Sequence, residues 1–401
     1  MKKTLAICLT AALLMLLVSA CSSGGSSKEG EIKVGVLFSL SGPTSIVEKG
    51  MANAALMAIE EINASGGVNG EKLVPIQEDY ASDPAAAATK AQKLILNDKV
   101  IAIIGGLTSA SRQAMLPVVE QNNSILIYPT TYEGLEYSKN IIYANSVANQ
   151  QLEPIVPWLV ENVGKRVFFV GNDYVFPVEA NNQVRVMLQR LGGEVVGEEY
   201  VPIGTTEFSS VLNKIKSAQP DFVFSTLIAD SVPAFYNQYH DYGLDSKKIP
   251  IASPSATEAE IAGVSPAAAE GNISFFAYFQ NLDTPENKKF VEAYRSKYGN
   301  EPIHTMMEAS YNAVYLLKAA LEKAGSNRST ENILNSFIGL ELQAPQGKIK
   351  VAENNHLWLI PRIARLNAEG QFEIVKEFDA PIEPQPWSEL LYPGHEKPWE
   401  K

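Results

Sequence analysis

Beyond residue 30 the chain alternates between short apolar runs rich in β-branched residues and longer stretches whose apolar positions recur every three or four residues. An α/β fold with parallel sheets reads this way, because a strand buried on both faces is apolar throughout while the helix covering it is apolar on one side. Strands are predicted at Ile32–Leu40, Leu73–Glu78, Val100–Gly105 and Ile125–Tyr128, and helices at Val47–Ala64, Pro84–Asn97 and Ser109–Gln121. Each strand–helix unit covers about thirty residues, enough for a crossover connection.

A second series begins near Asn149. It runs helix Gln151–Asn162, strand Arg166–Gly171, helix Val178–Leu191, strand Glu194–Val201, helix Glu207–Ala218, strand Phe222–Leu227, helix Val232–Tyr242 and strand Ile249–Ala252. Two α/β halves therefore follow one another. Strand Ile273–Phe279 and helices Pro285–Tyr298, Met306–Ala324 and Thr330–Ser336 come next. After Gly347 the pattern turns to strands, Lys348–Val351, Trp358–Leu366 and Phe372–Val375, with Asn367-Ala368-Glu369-Gly370 as a hairpin turn. Pro381, Pro384, Pro386 and Pro393 make the final segment an extended arm.

Ahead of this body stand a cationic start, Met1-Lys2-Lys3, an apolar stretch from Leu5 to Val18, and the small residues Ser19-Ala20 before Cys21. That order is the pattern of a bacterial lipoprotein signal peptide over residues 1–20, which leaves Cys21 as the site of lipidation. The apolar stretch is shorter than the roughly 20 residues of a spanning helix. Acyl chains on Cys21 would instead hold the protein at a membrane surface, and more than one is needed because a single chain anchors only marginally. Residues 21–30, rich in Ser and Gly, read as a flexible tether. The expected location is the cell envelope, outside the cytoplasm and anchored by lipid.

Composition narrows the function. Of the two cysteines, Cys8 lies in the leader and Cys21 takes the anchor, so the body is expected to be held by packing without disulfides. The net charge is −12, and loss of Lys2 and Lys3 with the leader makes it −14, which disfavours nucleic acid as a partner. The histidines, His240, His304, His356 and His395, are scattered through separate elements, and no metal-ligand cluster is expected. Gly105-Gly106-Leu107-Thr108-Ser109-Ala110-Ser111 lacks the spacing of a hydrolase nucleophile, and the chain carries neither a phosphate-loop lysine pattern nor a dinucleotide glycine fingerprint. Gly66-Gly67-Val68-Asn69-Gly70 follows a helix and precedes a strand, which makes it a helix end and turn. Neither an enzyme nor a cofactor is expected.

Ligands of open α/β sheets bind outside the carboxyl ends of strands. Three segments meet that condition. Leu107-Thr108-Ser109-Ala110-Ser111 follows a strand and opens a helix, so its hydroxyls and free N–H groups either meet a ligand or cap the helix, and the two uses are compatible. Tyr128-Pro129-Thr130-Thr131-Tyr132-Glu133-Gly134 supplies either aromatic pocket walls or a turn whose tyrosines cover the core. Asn172-Asp173-Tyr174-Val175-Phe176-Pro177 faces the first half or plugs the space beneath a loop. Asp230 and Glu258 either accept ligand N–H bonds or begin helices.

These segments carry a family resemblance. Thr108 to Arg112, Tyr128 to Glu136, Gly171 to Pro177, Pro250 to Ile261 and Asn281 to Asn287 resemble type I periplasmic solute-binding proteins of the branched-chain amino acid class, in the branch that binds urea and short-chain amides. The likeness covers nearly all of Glu31 to Val375. It implies two Rossmann-like lobes with parallel sheets joined by three crossings, near Val147–Gln150, Phe279–Leu282 and Ala344–Gly347. Lobe 1 is then residues 31–147 with 283–344, and lobe 2 is residues 148–282 with 345–401, the C-terminal arm included. The resemblance implies Ser109, Tyr128, Thr130 and Tyr174 as pocket residues, with Thr108, Asp230 and Glu258 nearby. Leu107 departs from it, since relatives in this branch tend to carry an aromatic there.

The expected protein is the lipid-anchored substrate-binding subunit of an ABC importer that takes urea or a small neutral amide to membrane permeases. Ser109 and adjacent N–H groups would meet the ligand carbonyl, Thr130, a backbone carbonyl and Asp230 or Glu258 would accept its N–H bonds, and Tyr128 and Tyr174 would form the walls. The alternatives are an amino acid carrier of the same class and an amide sensor of the kind that pairs with a regulator.

Overall fold

A computed structural model describes residues 30–400, so the signal peptide, Cys21 and almost all of the tether lie outside the described residues. The first lobe is built on strands β1 Glu31–Phe38, β2 Lys72–Asp79, β3 Ala102–Gly105, β4 Leu126–Tyr128 and β5 Ile141–Tyr143. They form a fully parallel sheet in the order β2-β1-β3-β4-β5. Successive side chains of a strand point to opposite faces, and the two cores follow that alternation. Val34, Val36, Ala102, Ile104, Ile127 and Ile142 meet helices Ser45–Ala64 and Thr305–Ala324. Leu37, Ile103, Leu126, Ile141 and Tyr143 meet helices Pro84–Lys93 and Ser109–Gln121 on the other side.

The second lobe begins with β6 Arg166–Asn172, β7 Glu194–Val201, β8 Phe222–Thr226, β9 Ile251–Ser253 and β10 Ile273–Phe276. Later in the sequence come β11 Glu341–Ala344, β12 Gly347–Val351 and β13 Leu357–Trp358, a small antiparallel sheet. Strands β14 Arg362–Leu366 and β15 Phe372–Glu377 then join the second sheet, whose order is β15-β14-β10-β9-β8-β6-β7. Asn367–Gly370 closes the β14–β15 hairpin, where Gly370 adopts φ +71°. Phe168 and Val170 face one core of this lobe and Val167 and Phe169 the other.

Prolines explain the main differences from the predicted elements. Helix Gln151–Asn162 is interrupted, giving Ala148–Gln151 and Ile155–Asn162, because Pro154 lacks an N–H and restricts the residue before it. Strand Trp358–Leu366 is split at Ile360-Pro361 for the same reason. Pro84–Asn97 is α-helical only to Lys93, after which Leu94–Asp98 widens into a π-turn that ends with Lys99 at φ 59°. The short strands β5 and β11 were not predicted; at three and four residues they are below the length at which alternation is readable.

The third crossing is displaced from its expected place. Ala344–Gly347 is the hairpin turn between β11 and β12, and Ile349, Val351, Leu357 and Leu359 pack into the first-lobe core. The chain instead enters the second sheet after Ile360-Pro361. Residues 347–359 therefore belong with lobe 1, against the expected division at residue 345. The proline-rich arm also departs from a pure lobe 2 assignment, since the Ile382 N–H donates to Leu359 O at 2.8 Å and the Leu135 N–H to Pro386 O at 2.8 Å, while Arg190 of lobe 2 donates to Leu390 O. It lies across the joint between the lobes. Polar side chains tie that joint together: Gln150 donates to Leu357 O at 2.7 Å and to Ile382 O at 2.8 Å, and Arg362 donates to Gln346 O at 3.0 Å and to Ala277 O.

Candidate functional site

The carboxyl ends of β3, β4, β6, β8 and β9 converge on a cavity of about 40 Å³ between the lobes. Its lining from lobe 1 is Val47, Leu107, Ser109, Thr130, Thr131 and Met306, and from lobe 2 Tyr174, Phe176, Ile228, Pro254, Ser255, Glu260 and Phe276. Of the expected site residues, Ser109, Thr130 and Tyr174 are brought together here. Among the described residues that line it, none is Lys, Arg or His, and the single ionisable acid is Glu260.

Each first-lobe hydroxyl is held by the loop that carries it. Thr108 is the N-cap of helix Ser109–Gln121, accepting from the Ser111 N–H at 3.1 Å, which fixes Ser109 in the first helical turn. Thr108 thus positions a pocket residue without lining the cavity. Ser109 Oγ donates to Glu133 Oε2 at 2.5 Å and accepts from Arg112 Nη1 at 3.0 Å. Arg112 is fully buried; its Nη2 meets Glu133 Oε1 at 2.9 Å and its Nε meets Glu136 Oε1 at 2.8 Å. Burial opposes the charge of this guanidinium, but the two carboxylates hold its pKa well above the ordinary value. The guanidinium also lies 4.4 Å from the centre of the Tyr132 ring and 5.2 Å from that of Tyr128.

Tyr128 corrects an expectation. Its hydroxyl donates to Leu107 O at 2.5 Å and its ring sits in the core behind that residue, so it supports the wall and does not form it. Leu107 takes the lining position. Burial pushes the Tyr128 hydroxyl pKa up, keeping it a neutral donor. Thr130 Oγ1 donates to Gly106 O at 3.0 Å, leaving its lone pairs toward the cavity.

The second lobe differs in its acids. Asp230 is exposed at the start of helix Ser231–Asp241, makes no side-chain cap and does not line the cavity. Ser231 does the local work instead, accepting from the Gly204 N–H at 3.0 Å. Glu258 is buried beside the second crossing, where Oε1 accepts from the Gln280 N–H at 3.0 Å and Oε2 has no protein partner. It too is outside the lining, and burial pushes its pKa up to about 8.

Glu260, two residues on, is the acid that reaches the cavity. Its Oε2 accepts from Thr257 N at 2.9 Å and Thr257 Oγ1 at 2.5 Å, and its Oε1 from Ala229 N at 3.2 Å. Burial pushes this carboxyl up to about 7. A signal for it was present in the sequence: Thr257-x-x-Glu260 is a capping box, which turns the glutamate back toward the helix start. Thr131 Oγ1 and Ser255 Oγ, also in the lining, are buried with no protein partner and so are available to a ligand. The lobes touch directly at this level, where Gln183 Nε2 of lobe 2 donates to Glu133 O at 2.8 Å.

The cavity can hold a molecule by hydrogen bonds and apolar contact. Among the described residues no group of three or more His, Cys, Asp and Glu side chains is arranged to hold a metal ion, and no helix is long and apolar enough to cross a membrane.

Comparison with known proteins agrees with the two-lobe geometry. The family described as "Periplasmic binding protein domain" matches residues 32–393. Leu/Ile/Val-binding protein homolog 6 of Brucella suis is 26% identical over 334 residues, covering 81% of this chain and 85% of its own. Leu/Ile/Val-binding protein BraC3 of Rhizobium johnstonii is 27% identical over 336 residues, covering 82% and 89%. Among solved structures, a solute-binding protein of an ABC transporter from Rhodopseudomonas palustris BisB5, in complex with 3,4-dihydroxybenzoic acid, superposes with a TM-score of 0.81 at 25% identity, covering 88% of this chain and 99% of that one. A branched-chain amino acid-binding protein of Streptococcus pneumoniae in complex with isoleucine shares the fold, with a TM-score of 0.78 at 23% identity over 86% of this chain and 99% of that one.

Proposed function

The chain belongs to the periplasmic binding protein family, and from that premise we propose that it is the substrate-binding lipoprotein of an ABC importer, capturing urea or a short-chain amide between its lobes. Cavity size is the observation that carries this reading. One water needs roughly 10–15 Å³ of such space, so about 40 Å³ suits a ligand of three or four heavy atoms and is small for leucine or a hydroxybenzoate. The lining adds support: it carries no Lys, Arg or His, and Arg112, which bonds to the lining residue Ser109, is already paired with two carboxylates, so a ligand carboxylate would enter without a free counter-charge. Hydroxyls of Ser109, Thr130, Thr131 and Ser255 suit the donors and acceptors of a neutral amide.

Capture needs no covalent step. Closure of the lobes would bury the ligand beneath Tyr174, Phe176 and Leu107, exclude water, and present the closed form to permease subunits at the membrane where Cys21 is anchored. A four-atom ligand at the ceiling of about −1.5 kcal/mol per atom gains about −6 kcal/mol, a Kd of roughly tens of micromolar.

An amino acid carrier is the second reading, favoured by the Leu/Ile/Val-binding relatives and by Glu260, which offers a carboxyl to an ammonium group. Titration calorimetry on protein starting after Cys21, with urea, formamide, acetamide, leucine and 4-hydroxybenzoate, separates the two. Heat with urea or an amide and none with leucine is expected; heat with leucine alone overturns the first reading.

A further inference from the structure

A serine hydroxyl has one proton to give and two lone pairs to receive. In Ser109 the proton points to Glu133 Oε2 at 2.5 Å and one lone pair is taken by Arg112 Nη1 at 3.0 Å. Glu133 Oε1 is at the same time paired with Arg112 Nη2 at 2.9 Å, so the carboxylate accepts at both oxygens. Ser109, with 2% of its surface exposed and lining the cavity, therefore has a lone pair left for a ligand and no proton. Thr130 is in the same condition, its proton committed to Gly106 O at 3.0 Å. Two neighbouring donors are spent as well, since the Tyr128 hydroxyl goes to Leu107 O at 2.5 Å and the Leu107 N–H to Tyr80 Oη at 3.2 Å.

From this polarity we infer that Glu133 and Arg112 are specificity-determining positioning residues: they hold Ser109 as a hydrogen-bond acceptor, so that the Ser109 and Thr130 hydroxyls of the first-lobe wall read an N–H group and reject a carboxylate or carbonyl oxygen. The orientation expected from the sequence, with Ser109 meeting the ligand carbonyl, is thereby reversed. A planar NH₂ group carries two protons and suits the two acceptors, Ser109 and Thr130. The ligand oxygen then belongs with the uncommitted hydroxyls of Thr131 and Ser255. This inference rests on the small-amide reading above for its choice of ligand, and it concerns the wall whatever the ligand proves to be.

The test compares acetamide with acetate, near-isosteric ligands of which only the first can donate. Wild-type protein is expected to favour acetamide by about 100-fold or more, because an oxygen facing Ser109 leaves buried polar groups unpaired. Glu133→Gln supplies an amide that can donate to Ser109 and release its proton, so the acetamide-to-acetate preference is expected to fall at least tenfold. Since that change also weakens the hold on Arg112, Ser109→Ala provides a second arm that leaves the Arg112 ion pairs in place, and it too should narrow the preference tenfold or more. A purely structural role for Glu133 would lower both affinities together and leave their ratio alone, and that outcome overturns the inference, as does acetate binding to wild type as tightly as acetamide. Should leucine bind and both small ligands fail, the amide reading falls by itself. The inference is then decided by a structure of the leucine complex, supported by the ammonium at Ser109 Oγ and overturned by the carboxylate there.

Discussion

On the first-lobe side of the cavity the Arg112 guanidinium is wholly out of water, yet carboxylates meet it on two edges and tyrosine rings lie against it. On the second-lobe side Glu258 and Glu260 are just as deeply placed, and among the described residues their environment supplies N–H and hydroxyl donors but no cation. One wall thus compensates buried charge with opposite charge and stays ionised. The other removes charge by protonation, and its carboxyls shift upward. The difference teaches where polarity is fixed and where it can change: on the first side the Ser109 and Thr130 hydroxyls are held as acceptors, while on the second the Glu260 carboxyl changes between donor and acceptor over the neutral pH range.

Breaking the compensated wall is expected to have the largest effect. Arg112→Met leaves Glu133 and Glu136 without their shared partner, and loss of one member of a buried ion cluster costs about 3–5 kcal/mol. The urea unfolding midpoint should drop accordingly; a midpoint within experimental error of wild type would show that the cluster is not compensated as described.

The uncompensated wall is probed by pH. The Glu258 carboxyl has an ordinary value of 4.5 and sits at about 8 in the folded protein, so between these values the folded state holds a proton that the unfolded state has released. Its contribution is fully present below about pH 4.5 and is lost as pH rises through about 8. Glu258→Gln removes that loss. The stability of the variant relative to wild type should grow by about 1 kcal/mol per pH unit between pH 5 and 8, read from denaturation midpoints. A difference that is flat with pH would remove Glu258 from the comparison.

The smallest expected effect lies where the walls touch. Gln183→Ala deletes a direct bond between the lobes, from Gln183 of lobe 2 to Glu133 O. Loss of about 1 kcal/mol from the closed state should weaken ligand affinity roughly fivefold with little change in the unfolding midpoint. Equal losses in both measurements would mean that the bond holds lobe structure and not closure.

The comparison also shows which parts of the site were legible. Ser109, Thr130 and Tyr174 could be placed because each follows a strand, and the ends of strands in such sheets are where ligands bind. Tyr128 was misplaced because alternation along a strand tells which face a residue takes but not whether a neighbour such as Leu107 stands in front of it. Asp230 and Glu258 were chosen by chemistry and position, whereas the side that reaches the cavity is set by where each short helix packs, and Glu260 has that side. Arg112 and Glu133 lay within quoted motifs, but their pairing joins a helix to a loop more than twenty residues away in sequence.

What the amino-acid sequence determined by itself is the alternation of strand and helix, the two successive halves, the hairpin at Asn367–Gly370 and the segments that border the cleft, all of which follow from local periodicity, turn chemistry and proline. Tertiary structure alone decided that the third crossing follows Pro361, that the C-terminal arm straps the joint, and that the proton of Ser109 is committed to Glu133. Those features depend on which distant groups meet in a closed, water-poor space. There a hydrogen bond or a charge is settled by its nearest partner and not by its neighbours along the chain.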